Sequence, residues 1–134
     1  IKIYIAGKNM PEYYFKYRNP NTIIEGKVDN VESYIQNKEI LFVPLFSGSG
    51  IRIKILEAMA HGIPVVSTSK GAQGIPYTNG ENILIADKKE VFINSIIKLT
   101  EDKNLAKKIG DNGKKLINLN FSESIVIDKL NNII

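Results

Sequence analysis

Two cations and a carboxylate follow closely on a glycine-rich tetrapeptide. Ser47-Gly48-Ser49-Gly50 leads into Ile51, Arg52, Lys54 and Glu57. Glycines at such a place take positive φ without steric cost and present backbone N–H groups. A helix starting behind them adds free N–H groups and a dipole, both of which favour bound negative charge. A cation at a helix start opposes that dipole, so Arg52 is easier to explain with an anion nearby. Arg52 and Lys54 are therefore candidate phosphate ligands, with plain surface cations as the alternative. At about 100° per residue, Lys54, Glu57 and His61 form one polar stripe. On spacing alone it reads first as a solvated seam of helical pairs, each worth about 0.2–0.5 kcal/mol. His61 is expected at a helix end, where its protonated form is favoured, and not in catalysis.

The elements that must hold these residues are legible around them. Ile40-Leu41-Phe42-Val43 is a short apolar run, right for a buried parallel strand. Residues 51–61 are strong helix formers, and Gly62 suits the position just past the helix end. The helix is expected to bury Ile51, Ile55 and Met59, with Leu56 and Ala60 widening the apolar side. Pro64-Val65-Val66 opens the next strand. Earlier in the chain, residues 1–5 alternate as a strand and residues 11–18 read as a short helix. Residues 22–25 form a second strand, and Asp29 or Asn30 caps a helix to about Asn37. Tyr13, Tyr14 and Tyr17 suggest a packing face. Later, residues 82–86 read as a strand. Asp87 and Asp102 are expected to cap helices ending near Thr100 and Asn120. Ser122 would cap a last one carrying Ile125, Ile127 and Leu130.

Strands alternating with helices predict a parallel sheet of about five strands covered on both faces. The fold class is thus α/β, a three-layer Rossmann-like domain. Ligands of such sheets sit beyond the strand C-termini. The segments 6–9, 26–30, 46–50 and 67–74 are expected to converge there on one cleft.

With 134 residues, 43% hydrophobic and 24% charged, the chain has the composition of one soluble globular domain, residues 1–134. No run of about 18 apolar residues is present, and no secretory signal opens the chain. The absence of cysteine excludes disulfide and thiol chemistry, and with a single histidine it argues against a zinc site. No metal is expected. The net charge of +4 suits phosphates or an anionic membrane surface, although charge alone speaks of solubility and steering. The chain opens on Ile1, inside a strand, so a fragment of a longer protein is expected.

Competing classes lack their signatures. A dinucleotide oxidoreductase would want GxGxxG after the first strand, where Ala6-Gly7-Lys8-Asn9 stands. Gly48-x-Gly50 meets Ile53 where the third glycine belongs, and no Walker A pattern occurs. A phosphorylatable receiver domain would need acidic residues where Ala6 and Gly7 lie.

The glycine loop combines with Lys54-Ile55-Leu56-Glu57-Ala58-Met59-Ala60, His61-Gly62-Ile63-Pro64-Val65-Val66-Ser67-Thr68 and Gly71-Ala72-Gln73-Gly74-Ile75. Asn79-Gly80-Glu81-Asn82-Ile83-Leu84-Ile85 and Phe121-Ser122 extend the pattern over most of the chain. Together these resemble the C-terminal, donor-binding domain of the family-four (group 1) glycosyltransferases, which have the GT-B fold. The resemblance implies a retaining enzyme that moves a sugar from a nucleoside-diphosphate sugar to an acceptor hydroxyl in glycan or polysaccharide synthesis. It implies no cofactor and no essential metal. It sets Gly48, Ser49, Gly50, Ile51, Arg52, Lys54 and Glu57 around the donor. Glu57 matches the family glutamate that accepts from the ribose hydroxyls. Ser49 stands where many relatives carry a further glutamate, and it cannot supply that charge. Gly71, Ala72 and Gln73 would line the sugar end, with a flexible loop as the alternative. Gly26, Lys27 and Val28 would meet the nucleobase through their backbone. No catalytic residue is assigned within this chain, which alone should be inactive. The partners implied are the nucleotide-sugar donor and an N-terminal acceptor domain, preceded in this half by one missing strand–helix unit. Nucleic acid is not expected. The implied location is cytoplasmic, with peripheral contact at the inner face of the membrane. The competing reading is a non-catalytic nucleotide-binding or scaffold module of the same fold.

Overall fold

The computed structural model describes residues 1–48 and 50–121. Ser49 and the expected last helix with Ser122, Ile125, Ile127 and Leu130 lie outside them. The chain forms two compact units, Ile1–Tyr34 and a second beginning at Ile35.

In the first unit β1 (Ile3–Ala6) pairs in parallel with β2 (Thr22–Gly26), Ile3 opposite Thr22 and Ile5 opposite Ile24. The connection is a 3-10 helix, Glu12–Tyr17. With three residues per turn it offers no broad face to bury. Tyr13, Tyr14 and Tyr17 are accordingly exposed, which corrects the expected packing face. Tyr13 and Tyr14 stack on each other at 4.6 Å. Phe15 packs instead, under the Arg18 guanidinium at 4.6 Å. That guanidinium also donates to the Ile24 carbonyl. After β2 comes α1 (Val31–Gln36), where the Asn30 side chain accepts from Ser33 N–H at 3.0 Å as the cap.

The second unit holds β3 (Leu41–Val43), β4 (Val65–Ser67) and β5 (Leu84–Ile85) in the order β3-β4-β5. All are parallel, Leu41 opposite Val65 and Val66 opposite Leu84. Among the described residues five parallel strands are therefore present, divided between a two-stranded and a three-stranded sheet. Alternation along the strands sends Val43 and Val65 to one face and Phe42 and Val66 to the other. The first face packs with Ile55, Ala58 and Met59, and the second with Phe92, Leu99 and Ile109. The sheet is thus covered on both sides. Among the described residues no helix is long and apolar enough to cross a membrane.

The helices are α2 (Ile53–Ala60), α3 (Lys89–Glu101) and α4 (Lys103–Asn120). α2 begins two residues later than expected, so Ile51 lies before it and is 44% exposed. Its buried stripe is narrower than expected: Ile55, Ala58 and Met59, with Ala60 exposed. At its end Gly62 takes φ +71°, its N–H donates to Met59 O, and Ile63 N–H reaches back to Ala58 O. That double closure is a Schellman cap. α4 starts on Asp102, whose side chain accepts from Leu105 N–H. It carries Gly110 and Gly113 at buried positions. A Cβ on Gly110 would collide with the Gly62 carbonyl, so two backbones touch there.

Asp87 is not the cap of α3, whose N-cap is Lys88. Its carboxylate instead accepts from the Ser69 N–H at 2.8 Å and the Ser69 hydroxyl at 2.9 Å. A carboxylate facing two donors across the sheet edge is held more firmly than one facing a single helix N–H. We expect Asp87→Ala to cost about 1 kcal/mol in urea unfolding while leaving the helicity of α3 unchanged in circular dichroism. Loss of helicity at α3 would restore the capping role.

Candidate functional site

β3 and β4 end side by side, and their loops carry most of the expected site. After β3 the chain runs through Pro44 to Gly50, with Gly48 at φ +111° and Gly50 at φ +85°. These are backbone conformations that glycine alone adopts without strain. Arg52 is the N-cap of α2, and it folds back over this loop. A Cβ added to Gly48 would come within 2.5 Å of Arg52 Nη2. The guanidinium therefore lies against the glycine backbone at a helix N-terminus, where an anion is favoured. Lys54 is exposed on the first turn of α2.

One turn on, Glu57 is half-buried, flanked by the buried Ala58 and the half-buried Leu56. The helical pairs expected of the polar stripe are not formed. Among the described residues, the Glu57 side chain makes no ion pair or hydrogen bond. His61 is the C-cap of α2, its Nε2 3.2 Å from Gln36 Nε2, as a helix-end residue should be.

The second loop leaves β4 at Ser67 and is a tight, bonded turn rather than a flexible one. Ala72 N–H donates to Thr68 O, Gln73 N–H to Lys70 O and Ile75 N–H to Ala72 O. Gly71 and Ala72 are buried, and Gln73 is exposed. Gly71 is in van der Waals reach of Val43, where a side chain would clash. Gly74, at φ +85°, leaves room for Ile51, since a Cβ there would stand 2.7 Å from Ile51 Cγ1. The glycine loop and the turn thus meet through Ile51 and Gly74.

The roles of two residues in this arrangement were not read from the sequence. One is Asp87, which anchors Ser69 from the end of β5. The other is Thr68, fully buried, whose hydroxyl donates to Leu45 O and accepts from Gly71 N–H at 3.0 Å. The available signal was a hydroxyl directly after an apolar strand, at the end where ligands gather.

In the first unit, Gly26 ends β2 at φ +73° and accepts from Gly7 N–H at 2.7 Å. Lys27 is exposed and Val28 half-buried. The segments 6–9 and 26–30 adjoin within this unit, as 46–50 and 67–74 do within the other. Nearby in the same unit, burial and then the neighbouring Glu25 carboxylate push the Tyr34 phenol up to about 12. It stays protonated at neutral pH. A groove of about 230 Å³ lies elsewhere, before β3 and β4 begin, lined by Ile40, Pro64, Leu99 and Lys103.

The sequence matches the family described as "Glycosyl transferases group 1" over residues 1–102. The chain belongs to the group 1 glycosyltransferases. This member of the group is 29% identical over 121 residues to the capsular polysaccharide biosynthesis glycosyltransferase CapM of Staphylococcus aureus. That match takes in 89% of the chain and 32% of CapM. The C-terminal domain of the group 1 glycosyltransferase LpcC from Francisella tularensis has the same fold, at a TM-score of 0.67 and 23% identity. It covers 78% of this chain and 56% of that one. HepE of Anabaena, solved with UDP and glucose, gives a TM-score of 0.82 at 15% identity over 98% of this chain and 39% of its own. The fold is that of the C-terminal half of GT-B glycosyltransferases. The chain spans about a third of the length of the curated relatives it matches, 28% to 36%.

Proposed function

We propose that this chain is the donor-binding domain of a retaining glycosyltransferase. The whole enzyme would move a sugar from a nucleoside-diphosphate sugar to an acceptor hydroxyl during glycan or polysaccharide synthesis. Family membership and the UDP held by HepE support a nucleotide-sugar donor. The observation that carries the assignment is Glu57, a half-buried carboxylate without a side-chain partner among the described residues, one turn behind the glycine loop. A carboxylate in that setting gains most from a ligand that donates to it, as a ribose diol does.

In this reading Arg52, Lys54 and the amides of Gly48 and Gly50 hold the diphosphate, and the turn of Gly71, Ala72 and Gln73 stands at the sugar through its exposed residue, Gln73. The backbone of Gly26, Lys27 and Val28 meets the base. A preceding strand–helix unit and an N-terminal acceptor domain complete the enzyme, and no metal takes part. The chain alone is then inactive. We place the full-length enzyme in the cytoplasm, with peripheral contact at the inner face of the membrane, which the charge of +4 would favour.

Glu57→Gln tests the assignment. It keeps the size and one acceptor oxygen but removes the charge. Donor binding by the full-length protein should weaken by about 1–2 kcal/mol, with unfolding unchanged. The loss should shrink sharply for a donor analogue lacking the ribose hydroxyls. Crossing the variant with that analogue gives a double-mutant-style cycle. Strict additivity in it would refute a direct bond from Glu57 to the ribose.

A further inference from the structure

We infer that Thr68 is a positioning residue for the donor sugar, acting by locking the turn after β4 to the glycine loop. This rests on the donor-site reading above and deepens it. Thr68 is fully buried at the end of β4, yet it is polar. Its N–H donates to Val43 O at 3.2 Å, which continues the ladder one residue past β4. Its hydroxyl then does two things at once. It donates to Leu45 O, in the backbone leading to the glycine loop, and it accepts from Gly71 N–H at 3.0 Å. Its carbonyl accepts from Ala72 N–H at 3.1 Å and from the Ser67 hydroxyl at 2.9 Å.

A single oxygen thus bridges the two loops in a chain from Gly71 N–H through Thr68 Oγ1 to Leu45 O. Valine would fill the same space and keep every backbone bond, but it would leave Gly71 N–H and Leu45 O without this partner. Buried groups left so are costly, and the chain relieves the cost by moving the turn. The glycine loop, held by β3 and α2, keeps its place. A ligand that touches only the glycine loop is then indifferent to the change, while one that spans loop and turn is not. The diphosphate is the first kind of group and the sugar the second.

The test compares Thr68→Val and Thr68→Ser with the wild type in the full-length protein. Calorimetry would use UDP, GDP and ADP and their glucose conjugates, and follow the pair that the wild type binds best. Thr68→Val should lose about tenfold in affinity for the nucleoside-diphosphate glucose and less than twofold for the nucleoside diphosphate, the scale of one hydrogen bond. Thr68→Ser, which keeps the hydroxyl, should restore the sugar-dependent part. Equal losses for both ligands, or a valine variant that binds both like the wild type, would overturn the inference and leave Thr68 a core residue. A second measurement needs no variant. Exchange of the Gly71 amide in the wild type should slow further with the glucose conjugate than with the diphosphate alone, and equal protection would overturn the inference. A wild type that binds none of the panel would overturn the donor-site reading itself, an outcome separate from these.

Discussion

Gly110→Ala is expected to destabilise the second unit by about 2 kcal/mol or more. Helix propensity alone predicts the opposite sign, since alanine gains about 1 kcal/mol over glycine inside a helix. α4 is an 18-residue helix, and a glycine in it weakens it unless the missing side chain is needed elsewhere. Here it is needed. A Cβ on Gly110 would run into the Gly62 carbonyl oxygen and lie 3.0 Å from the Gly62 carbonyl carbon and 3.4 Å from Pro64 Cδ. These are backbone and ring atoms that no rotamer change removes. Gly62 is also pinned, because its positive φ closes the Schellman cap of α2. α4 must therefore move off, taking Ile109 and Ile117 with it, and overpacking of this kind costs about 1–3 kcal/mol or somewhat more. Gly113→Ala is the graded comparison, with Asn82 O at 3.3 Å and Met59 Cγ at 3.4 Å. It should be nearer neutral. Chemical denaturation of the three proteins, with exposed Lys114→Ala as a control within about 0.5 kcal/mol of wild type, decides the matter. A Gly110→Ala protein as stable as wild type would mean that the helices do not touch at this point.

Arg52→Ala should weaken nucleoside-diphosphate binding by about 1.5–3 kcal/mol, the range for hydrogen bonds to a charged group. That is roughly 10- to 150-fold in the dissociation constant. Binding of the bare nucleoside should hardly change. The expectation comes from placement: the guanidinium covers Gly48 at the N-terminus of α2, where backbone amides and helix dipole already favour an anion. Lys54→Ala should act in the same direction but less strongly, because its ammonium is exposed and screened by solvent. The losses should also narrow as salt rises. Calorimetry with diphosphate and nucleoside in parallel is the measurement. Equal losses for the two ligands would remove Arg52 from the phosphate site.

The unit from β3 through α2 to β4 was readable because its instructions are local. An apolar run, two loop glycines, helix formers, Gly62 and Pro64 each act within a few positions. Asn30 and Asp102 were readable as caps for the same reason. Asp87 misled because an aspartate before a helix is an ordinary cap, and its true partner, Ser69, lies on another loop. Gly110 and Thr68 were silent in the same way, since each acts on a residue distant in sequence. The tyrosines read as a packing face because four aromatics in five positions suggest burial, but at three residues per turn Tyr13 lies about 120° from Tyr14 and Tyr17, and all three are exposed. Of the site, residue types and loop conformations were legible. The bonding of the turn 68–75, which removes Gly71 and Ala72 from solvent, was not.

Every strand ladder in the described residues is parallel. Parallel neighbours cannot be joined by a tight hairpin, so no pair of strands can zip from a turn. Leu41 waits for Val65, and Val66 for Leu84, while the intervening chain is closed at an entropic cost before the first ladder bond forms. Folding that depends on such pairings is slow beside that of a helical bundle of similar size. As the chain leaves the ribosome, β3 emerges with its hydrogen-bonding groups open and keeps them so until α2 and Pro64 have followed and β4 arrives. The loops that frame the candidate site take their places at that same moment, when Thr68 reaches Val43 and Leu45.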